Sequence, residues 1–316
     1  MQNFIKNNQS FIQQARKSLQ AVAGLALITI IFMLLVPSYR SVGNFTDILA
    51  QSSVLAIMAL GTTVVLISGG LDLSVGSILA LCACMAGTVL AAGLPIWVAI
   101  SLALITGLAV GLINGLTVVL TGVPPFIATM GMMMIVRGFA EMLGKGRDMS
   151  YFPEGFKILG AGWVAPSIIA GGALVIIMFI MSKTKLGFNA YAIGGNSEVA
   201  RLSGIPVNRN RIIYYSIGGI LAGLAGVLEA ARLNYVEPNY GLGWELQAIA
   251  GAVIGGTSLF GGMGGVGRTI IGVLIIRSLY AGLIQIGVDS YWQQVAIGTV
   301  IIIAVWIDTV QRKRSL

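Results

Sequence analysis

Charged side chains are scarce in this sequence, where Asp, Glu, Lys and Arg together account for 9% of 316 residues. A soluble globular domain carries about 25% of these residues. Apolar residues reach 57%, and the mean hydropathy is +0.92. A surface with so few charges would not keep a chain of this size in solution. The composition therefore predicts an integral membrane protein with most of its length in lipid.

Histidine is absent, and cysteine occurs only at Cys82 and Cys84. The sequence therefore excludes Ser-His or Cys-His catalysis and His-ligated metals, as well as a disulfide framework or a four-ligand zinc site. It also lacks a G-x-x-x-x-G-K-[ST] phosphate loop, so we expect no ATP hydrolysis by the chain itself. A pore, a transporter subunit and a membrane enzyme that uses carboxylates remain. We expect no metal ion or cofactor in this chain, and its composition points to no catalytic residue.

Long apolar runs recur along the whole sequence. A membrane-spanning helix needs about 20 mostly apolar residues. Ten runs predict an all-α, polytopic fold with about ten transmembrane helices: 20–37, 48–68, 75–92, 95–120, 126–143, 164–182, 212–232, 245–261, 267–287 and 292–310. Residues 1–19 form a predicted cytoplasmic segment, residues 20–310 the transmembrane domain, and residues 311–316 a cytoplasmic tail.

The distribution of basic residues predicts the orientation. With both termini inside, 12 of the 19 Lys and Arg residues fall on inner segments, which agrees with the positive-inside rule. We therefore attribute the net charge of +8 to topology and not to nucleic-acid binding. Four tryptophans lie at the starts of spans four, six, eight and ten, where this orientation expects an outer aromatic belt: Trp97, Trp163, Trp244 and Trp292.

The longest predicted inner loop, residues 183–211, contains the boundary signals of a short helix. Asn196 or Ser197 can cap the start of this helix. Gly204 can end it in a left-handed conformation, and Pro206 prevents its continuation. The sequence therefore predicts an isolated helix of about seven residues, a length that is marginal in water.

The side chains of this short helix suggest a docking surface. Glu198 lies in the first turn, where the helix dipole favours an anion, and Ala200 follows it. Val199 and Leu202, three residues apart, form a small apolar stripe. We expect the helix to dock on another protein; the alternative is a loop that lies on its own membrane domain.

The segment SGGLDLSVGS, residues 68–77, places an acidic residue between two predicted spans. Gly69 and Gly70 would break the first helix, and Asp72 can cap the next one through a backbone N–H near Ser74. An acidic residue inside a membrane domain is costly and often functional. Asp72 is therefore interpreted as a helix cap or, alternatively, as an acceptor for cargo beside an inner gate.

Charged pairs occur near the ends of two predicted spans. Arg137 and Glu141 are four residues apart, and Glu229 and Arg232 are three apart, so each pair shares one helix face. A lone charge facing lipid would cost roughly 2.5–3.5 kcal/mol. We expect both pairs to be ion pairs, the alternative being contacts with docked protein or a transported solute at an outer vestibule.

Two amides complete the candidate polar groups within the spans. Asn114 and Gln247 are expected to form interhelical hydrogen bonds, with contact to cargo as the alternative. The candidate pathway or gate residues are Ser68, Gly69, Gly70, Asp72, Ser74, Asn114, Arg137 and Gln247. Glycines also recur at every fourth position, which predicts close helix packing: Gly107, Gly111 and Gly115, and Gly219 and Gly223.

Several motifs in this order resemble one known family. Glu198-Val199-Ala200 with Gly204 is similar to the E-A-A-x-x-x-G loop motif of ABC-importer permeases, from which Val199 departs. Further segments resemble the ribose-type monosaccharide permeases, which include ribose, xylose, arabinose and galactose transporters, over about residues 21–310. These segments are IMALGTTVVLISGGLDLSVGS (57–77), FIATMGMMMIVRG (126–138), GGNSEVARLSGIPVN (194–208) and AIAGAVIGGTSLFGG (248–262).

The resemblance implies one subunit of a multi-subunit transporter in the bacterial inner membrane. Cytoplasmic ATPase subunits would bind ATP and Mg²⁺ and would also bind the 183–211 loop. An extracytoplasmic binding protein would deliver a monosaccharide, and a second permease chain, identical or paralogous, would complete the pathway. Gln247 and Arg277 depart from the ribose pattern, so the cargo stays open. An ATP-independent facilitator and an importer of an amino acid, a nucleoside or a furanosyl signalling molecule are the alternatives.

Overall fold

The computed structural model describes the backbone of residues 2–145 and 149–313 and the side chains of residues 19–145 and 149–310. Over these ranges the chain forms 13 α-helices and one short 3-10 helix, without a β-strand. The predicted all-α fold is confirmed. The helices are α1 Gln2–Leu35, α2 Val42–Ile67, α3 Val75–Ala91, α4 Ile96–Thr121, α5 Pro125–Gly144, α6 Glu154–Lys157, α7 Val164–Lys183, α8 Lys185–Gly195, α9 Ser197–Leu202, α10 Val207–Leu233, α11 Trp244–Ile254, α12 Val266–Gln285 and α13 Ser290–Lys313; the 3-10 helix spans Pro37–Arg40.

Seven of the described helices are long and apolar enough to cross a membrane: α2, α4, α5, α7, α10, α12 and α13. Three shorter apolar helices accompany them, namely Leu19–Leu35 within α1, α3 and α11. Each of the ten predicted spans coincides with one of these helices.

One predicted boundary is wrong, and one predicted loop contains a helix that the sequence analysis missed. The span predicted at 245–261 ends at Ile254, because Gly255 and Gly256 follow and Gly256 has a left-handed φ of +88°. The loop predicted at 183–211 is mostly helical, since it contains α8, α9 and the first turn of α10.

Helices α2 and α10 cross the centre of the molecule, and α10 packs along α2, α3 and α4. The contact between α4 and α10 is made by glycines: a Cβ on Gly107 would overlap the carbonyl of Gly219, and one on Gly219 would overlap that of Gly107. The two predicted glycine faces therefore pack against each other. Cys82 and Cys84 are both buried, on the nearby α3.

Two groups of four helices, α2–α5 and α10–α13, share one packing scheme. In the first group α3 packs on α4 and α5, and in the second α11 packs on α12 and α13. Across the groups, α4 packs on α10 and α12 packs on α2. The short helices α3 and α11 therefore hold equivalent places, as in transporters built from internal repeats.

The glycine contact between α4 and α10 yields a stability prediction. We expect Gly219→Val to lower the free energy of unfolding by at least about 3 kcal/mol, because the added atoms meet backbone that has nowhere to move. Gly171→Val on α7 is the control, since no atom lies within 4 Å of the Cβ position there. Thermal unfolding of the purified chains in detergent measures both effects. Equal loss in the two variants would contradict the prediction.

Candidate functional site

The first turns of the two short helices meet inside the molecule. A Cβ on Gly76, at the start of α3, would overlap both the Glu245 carboxylate at the start of α11 and the carbonyl oxygen of Gly241. Each helix is preceded by a non-helical segment, residues 68–74 before α3 and residues 234–243 before α11. The positive ends of two helix dipoles therefore converge at this point.

The meeting point lies at mid-depth, as contacts along α10 show. The hydroxyl of Tyr215 donates to the carbonyl of Leu71 at 3.2 Å, and Gly226 faces the carbonyl of Leu79. Because an α-helix rises about 1.5 Å per residue, α3 begins level with the middle of α10. Helix α11 begins at the same depth, since its first turn contacts Gly76. Such discontinuous helices commonly mark the binding region of transporters.

Asp72 forms the predicted bond to the start of α3. Its Oδ1 accepts from the Ser74 backbone N–H at 2.8 Å and from the Ser74 hydroxyl at 2.6 Å. Asn114 Nδ2 donates to Ser74 Oγ at 2.8 Å, which confirms the expected interhelical bond from Asn114. Asp72 is only 1% exposed. Asp72 Oδ2 and Asn114 Oδ1 are buried and lack a hydrogen-bond partner in the described part of the chain.

The rest of the 68–74 segment is held by hydrogen bonds to the end of α2 and to α5. Ser68 Oγ donates to the Val65 carbonyl at 2.7 Å, and Gly69 has a left-handed φ of +78°. Thr129 on α5 accepts from the Leu73 N–H at 3.2 Å and thereby holds the segment against α5. Sequence reasoning missed Thr129 and Tyr215, since nothing in the sequence links them to this segment.

The inner end of the 68–74 segment contacts the end of α8. The Gly262 N–H donates to the Ile67 carbonyl at 2.9 Å. Gly194 packs on this bond so closely that a Cβ there would overlap both bonded atoms. The ends of α2, α8 and the turn between α11 and α12 therefore form one three-way contact, which we call the inner junction. Sequence reasoning missed this contact.

Helix α9 follows the inner junction directly and has the predicted boundaries. Asn196, not Ser197, is its N-cap, and Asn196 Oδ1 accepts from the N–H groups of Glu198 and Val199 at 3.0 Å each. Gly204 follows in a left-handed conformation, φ +82°. Pro206 comes immediately before α10. The helix is six residues long, which confirms the prediction of a short isolated helix.

The outward surface of α9 combines apolar and charged groups. Val199 is 57% exposed and Leu202 78% exposed, whereas Ala200 packs inward. Glu198 and Arg201 form an ion pair at 2.6 Å. The hydrogen bond to Glu198 and its charge raise the pKa of the Arg201 guanidinium. The surface offers an exposed apolar stripe that the described part of the chain leaves uncovered.

Arg137 does not form the predicted ion pair with Glu141. Its guanidinium donates instead to the carbonyls of Pro238 and Tyr240, so it holds the 234–243 segment against α5. The correction has a physical reason, because these partly buried loop carbonyls need a hydrogen-bond donor. The second predicted pair is confirmed: Glu229 and Arg232 lie 2.7 Å apart.

Gln247 and Trp244 both depart from their predicted surroundings. Gln247 is 9% exposed, and its Oε1 lacks the expected interhelical hydrogen bond among the described residues. Trp244 was expected in an outer aromatic belt, but it begins α11 at mid-depth, and its ring lies 4.4 Å from the Arg277 guanidinium carbon. Trp97, Trp163 and Trp292 are exposed.

The structure thus joins some of the candidate residues and separates others. Asp72, Ser74 and Asn114 form one hydrogen-bonded group, while Ser68 and Gly69 lie at the inner junction and Arg137 contacts the 234–243 segment. Gly70 contacts the ring of Tyr215. Their roles in a pathway stay a prediction. Among the described residues, no group of three or more Cys, Asp or Glu side chains could hold a metal ion.

Comparisons with known proteins give consistent matches over nearly the whole chain. A family model described as branched-chain amino acid transport system / permease component matches residues 44–305. The ribose import permease protein RbsC of Escherichia coli (strain K12) is 41% identical over 295 residues, 91% of this chain and 92% of the relative. RbsC of Bacillus subtilis (strain 168) is 40% identical over 298 residues, 92% of each chain.

A relative that is named for a different cargo matches almost as well. The galactose/methyl galactoside import permease protein MglC of Escherichia coli (strain K12) is 36% identical over 333 aligned positions, which cover 98% of each chain. No solved structure matches this chain.

Proposed function

We propose that this chain, which belongs to the family of branched-chain amino acid transport system permease components, is the membrane permease subunit of an ATP-driven monosaccharide importer. The identity of 36–41% with ribose and galactose import permeases over at least nine-tenths of the chain carries the proposal. As a permease subunit it is not an enzyme, and ATP hydrolysis belongs to a partner. The cargo is a pentose or a hexose.

The proposed topology has ten membrane segments with both termini in the cytoplasm. The seven long apolar helices and the three shorter ones supply the ten segments. The basic residues favour this orientation, and it places α9 on the cytoplasmic side of the bacterial inner membrane. Helices α3 and α11 then run from mid-depth toward opposite faces, an arrangement seen in transporters with inverted repeats.

Three protein partners follow from this function. A cytoplasmic ATPase subunit, which binds ATP and Mg²⁺, docks on α9 through the exposed Val199 and Leu202. An extracytoplasmic sugar-binding protein delivers cargo to the outer face. A second permease chain, identical or paralogous, completes the pathway. The dense packing of α2 and α10 inside one chain supports a pathway that needs this second chain.

The pathway passes the mid-depth polar groups and the inner junction. Asp72, Ser74, Asn114 and Gln247 offer hydrogen-bonding atoms to an uncharged sugar, and Arg137 holds the outer segment above them. Ser68, Gly69 and Gly70 form the inner gate beside Gly194. Closure of the ATPases would move α9, and Gly194 would transmit this movement to the gate.

Reconstitution of the complete importer tests the function. Proteoliposomes that contain the permease, its ATPase and its loaded binding protein should take up a monosaccharide only when ATP is present. A facilitator would transport without ATP and would not co-purify with an ATPase. Uptake of a branched-chain amino acid in place of any sugar would support the cargo in the family description and overturn the sugar proposal.

A further inference from the structure

The contact between α11 and α12 contains buried hydrogen-bonding groups without partners. Arg277 on α12 is 4% exposed, and its Nε and Nη2 lack hydrogen-bond partners within the described ranges. Gln247 on α11 carries the unpartnered Oε1 noted above. Leaving a buried polar group unpaired costs about 1–3 kcal/mol. Native proteins retain few such groups, so each of these calls for an explanation.

Helix packing places Gln247 and Arg277 close together. Helices α11 and α12 run antiparallel, because Gly255 faces Arg268 and Gly251 faces Val273. One further turn along each helix brings Gln247 opposite residues 276–277. Side chains on a helix tilt toward its N-terminus, so the Gln247 side chain covers the turn that begins at Trp244, and the Arg277 guanidinium lies over the Trp244 ring.

Arg277 forms no ion pair with a carboxylate among the described residues. The nearby Glu229 already accepts two hydrogen bonds from Arg232, at 3.0 and 2.7 Å. Stacking on Trp244 accommodates the planar cation but leaves its N–H groups free. The pair therefore presents two free donors on Arg277 beside one free acceptor on Gln247.

We propose that Arg277 and Gln247 select the cargo by binding two neighbouring hydroxyl groups of the monosaccharide. Arg277 donates a hydrogen bond to the oxygen of one hydroxyl, and Gln247 Oε1 accepts a hydrogen bond from the adjacent hydroxyl. A vicinal diol matches this donor and acceptor set, and it satisfies the groups that are unpaired here. Cargo reaches the pair when the outer ends of α11 and α12 separate. The proposal rests on the monosaccharide importer function.

A panel of sugars tests the proposal in the reconstituted importer with saturating loaded binding protein. The transported sugar is compared with analogues that lack one hydroxyl each. Gln247→Leu and Arg277→Lys should each lower uptake of the parent sugar about tenfold, the effect of losing one hydrogen bond of about 1.4 kcal/mol. For the analogue that lacks the corresponding hydroxyl, the loss should be less than about twofold.

Gln285→Leu is the matched control, because Gln285 on α12 has its hydrogen bonds satisfied by Ser38 and Asn44. It should affect all sugars by the same factor. If Gln247→Leu and Arg277→Lys also act uniformly, or not at all, the selection role is wrong while the importer function stands. Wild-type protein that transports no monosaccharide would overturn both. Gln247→Leu keeps the test decisive if Arg277→Lys does not fold.

Discussion

Gly194→Ala is expected to lower sugar uptake at least about tenfold, whereas Gly195→Ala at the next residue leaves uptake unchanged. One methyl group at Gly194 would overlap the Ile67 carbonyl and the Gly262 nitrogen, which form a hydrogen bond with each other. At Gly195 no atom lies within 4 Å of the Cβ position. The two variants therefore add the same group at adjacent residues and differ only in what that group meets.

The expected loss follows from the cost of separating the inner junction. Overpacking of this kind costs about 1–3 kcal/mol or more, and each 1.4 kcal/mol is about tenfold in an equilibrium. Uptake by reconstituted importer should fall to about a tenth or less. Size-exclusion chromatography checks that the complex still assembles. Normal uptake by an assembled Gly194→Ala importer would show that Gly194 does not transmit movement to the gate.

Replacing Val199 and Leu202 together with aspartate is expected to detach the ATPase. Burying each apolar side chain at an interface contributes about 1.5–3 kcal/mol, and a carboxylate in the same place adds a desolvation cost. Binding should weaken by at least about a hundredfold. The permease itself should fold normally, because both side chains are exposed in the isolated chain.

Retention of the ATPase during affinity purification of the permease measures this effect. Ile158→Asp with Leu94→Asp is the matched control, since both residues are exposed and apolar but lie in loops on the side assigned to the exterior. Uptake should disappear in the first variant and persist in the control. Recovery of equal amounts of ATPase with both variants would contradict the docking surface on α9.

Local features of the site could be predicted from the sequence, because local chemistry determines them. The cap at Asn196, the left-handed Gly204 and the Asp72 bond to Ser74 each depend on residues within a few positions. The ten apolar segments were also predictable, since the helices of a membrane domain are apolar whether they face lipid or are buried by their neighbours. Even the pairing of α4 with α10 agreed with its glycine spacing.

Contacts between distant segments could not be predicted in the same way. Helical spacing favoured Glu141 as the partner of Arg137, yet the carbonyls of Pro238 and Tyr240 lie about a hundred residues away and carry no side-chain signal. The inner junction consists of a backbone bond and a missing side chain at Gly194. Neither feature leaves a pattern in a single sequence.

The burial of both cysteines has a practical consequence for measuring conformational change. Cys82 and Cys84 lie inside the molecule on α3, and the sequence contains no other thiol. A cysteine introduced at the exposed Ser203, which directly follows α9, would therefore be the single thiol of this chain accessible to a spin label or a fluorophore. Distances between two such labels in a permease pair could follow α9 through the ATP cycle without removal of any native residue.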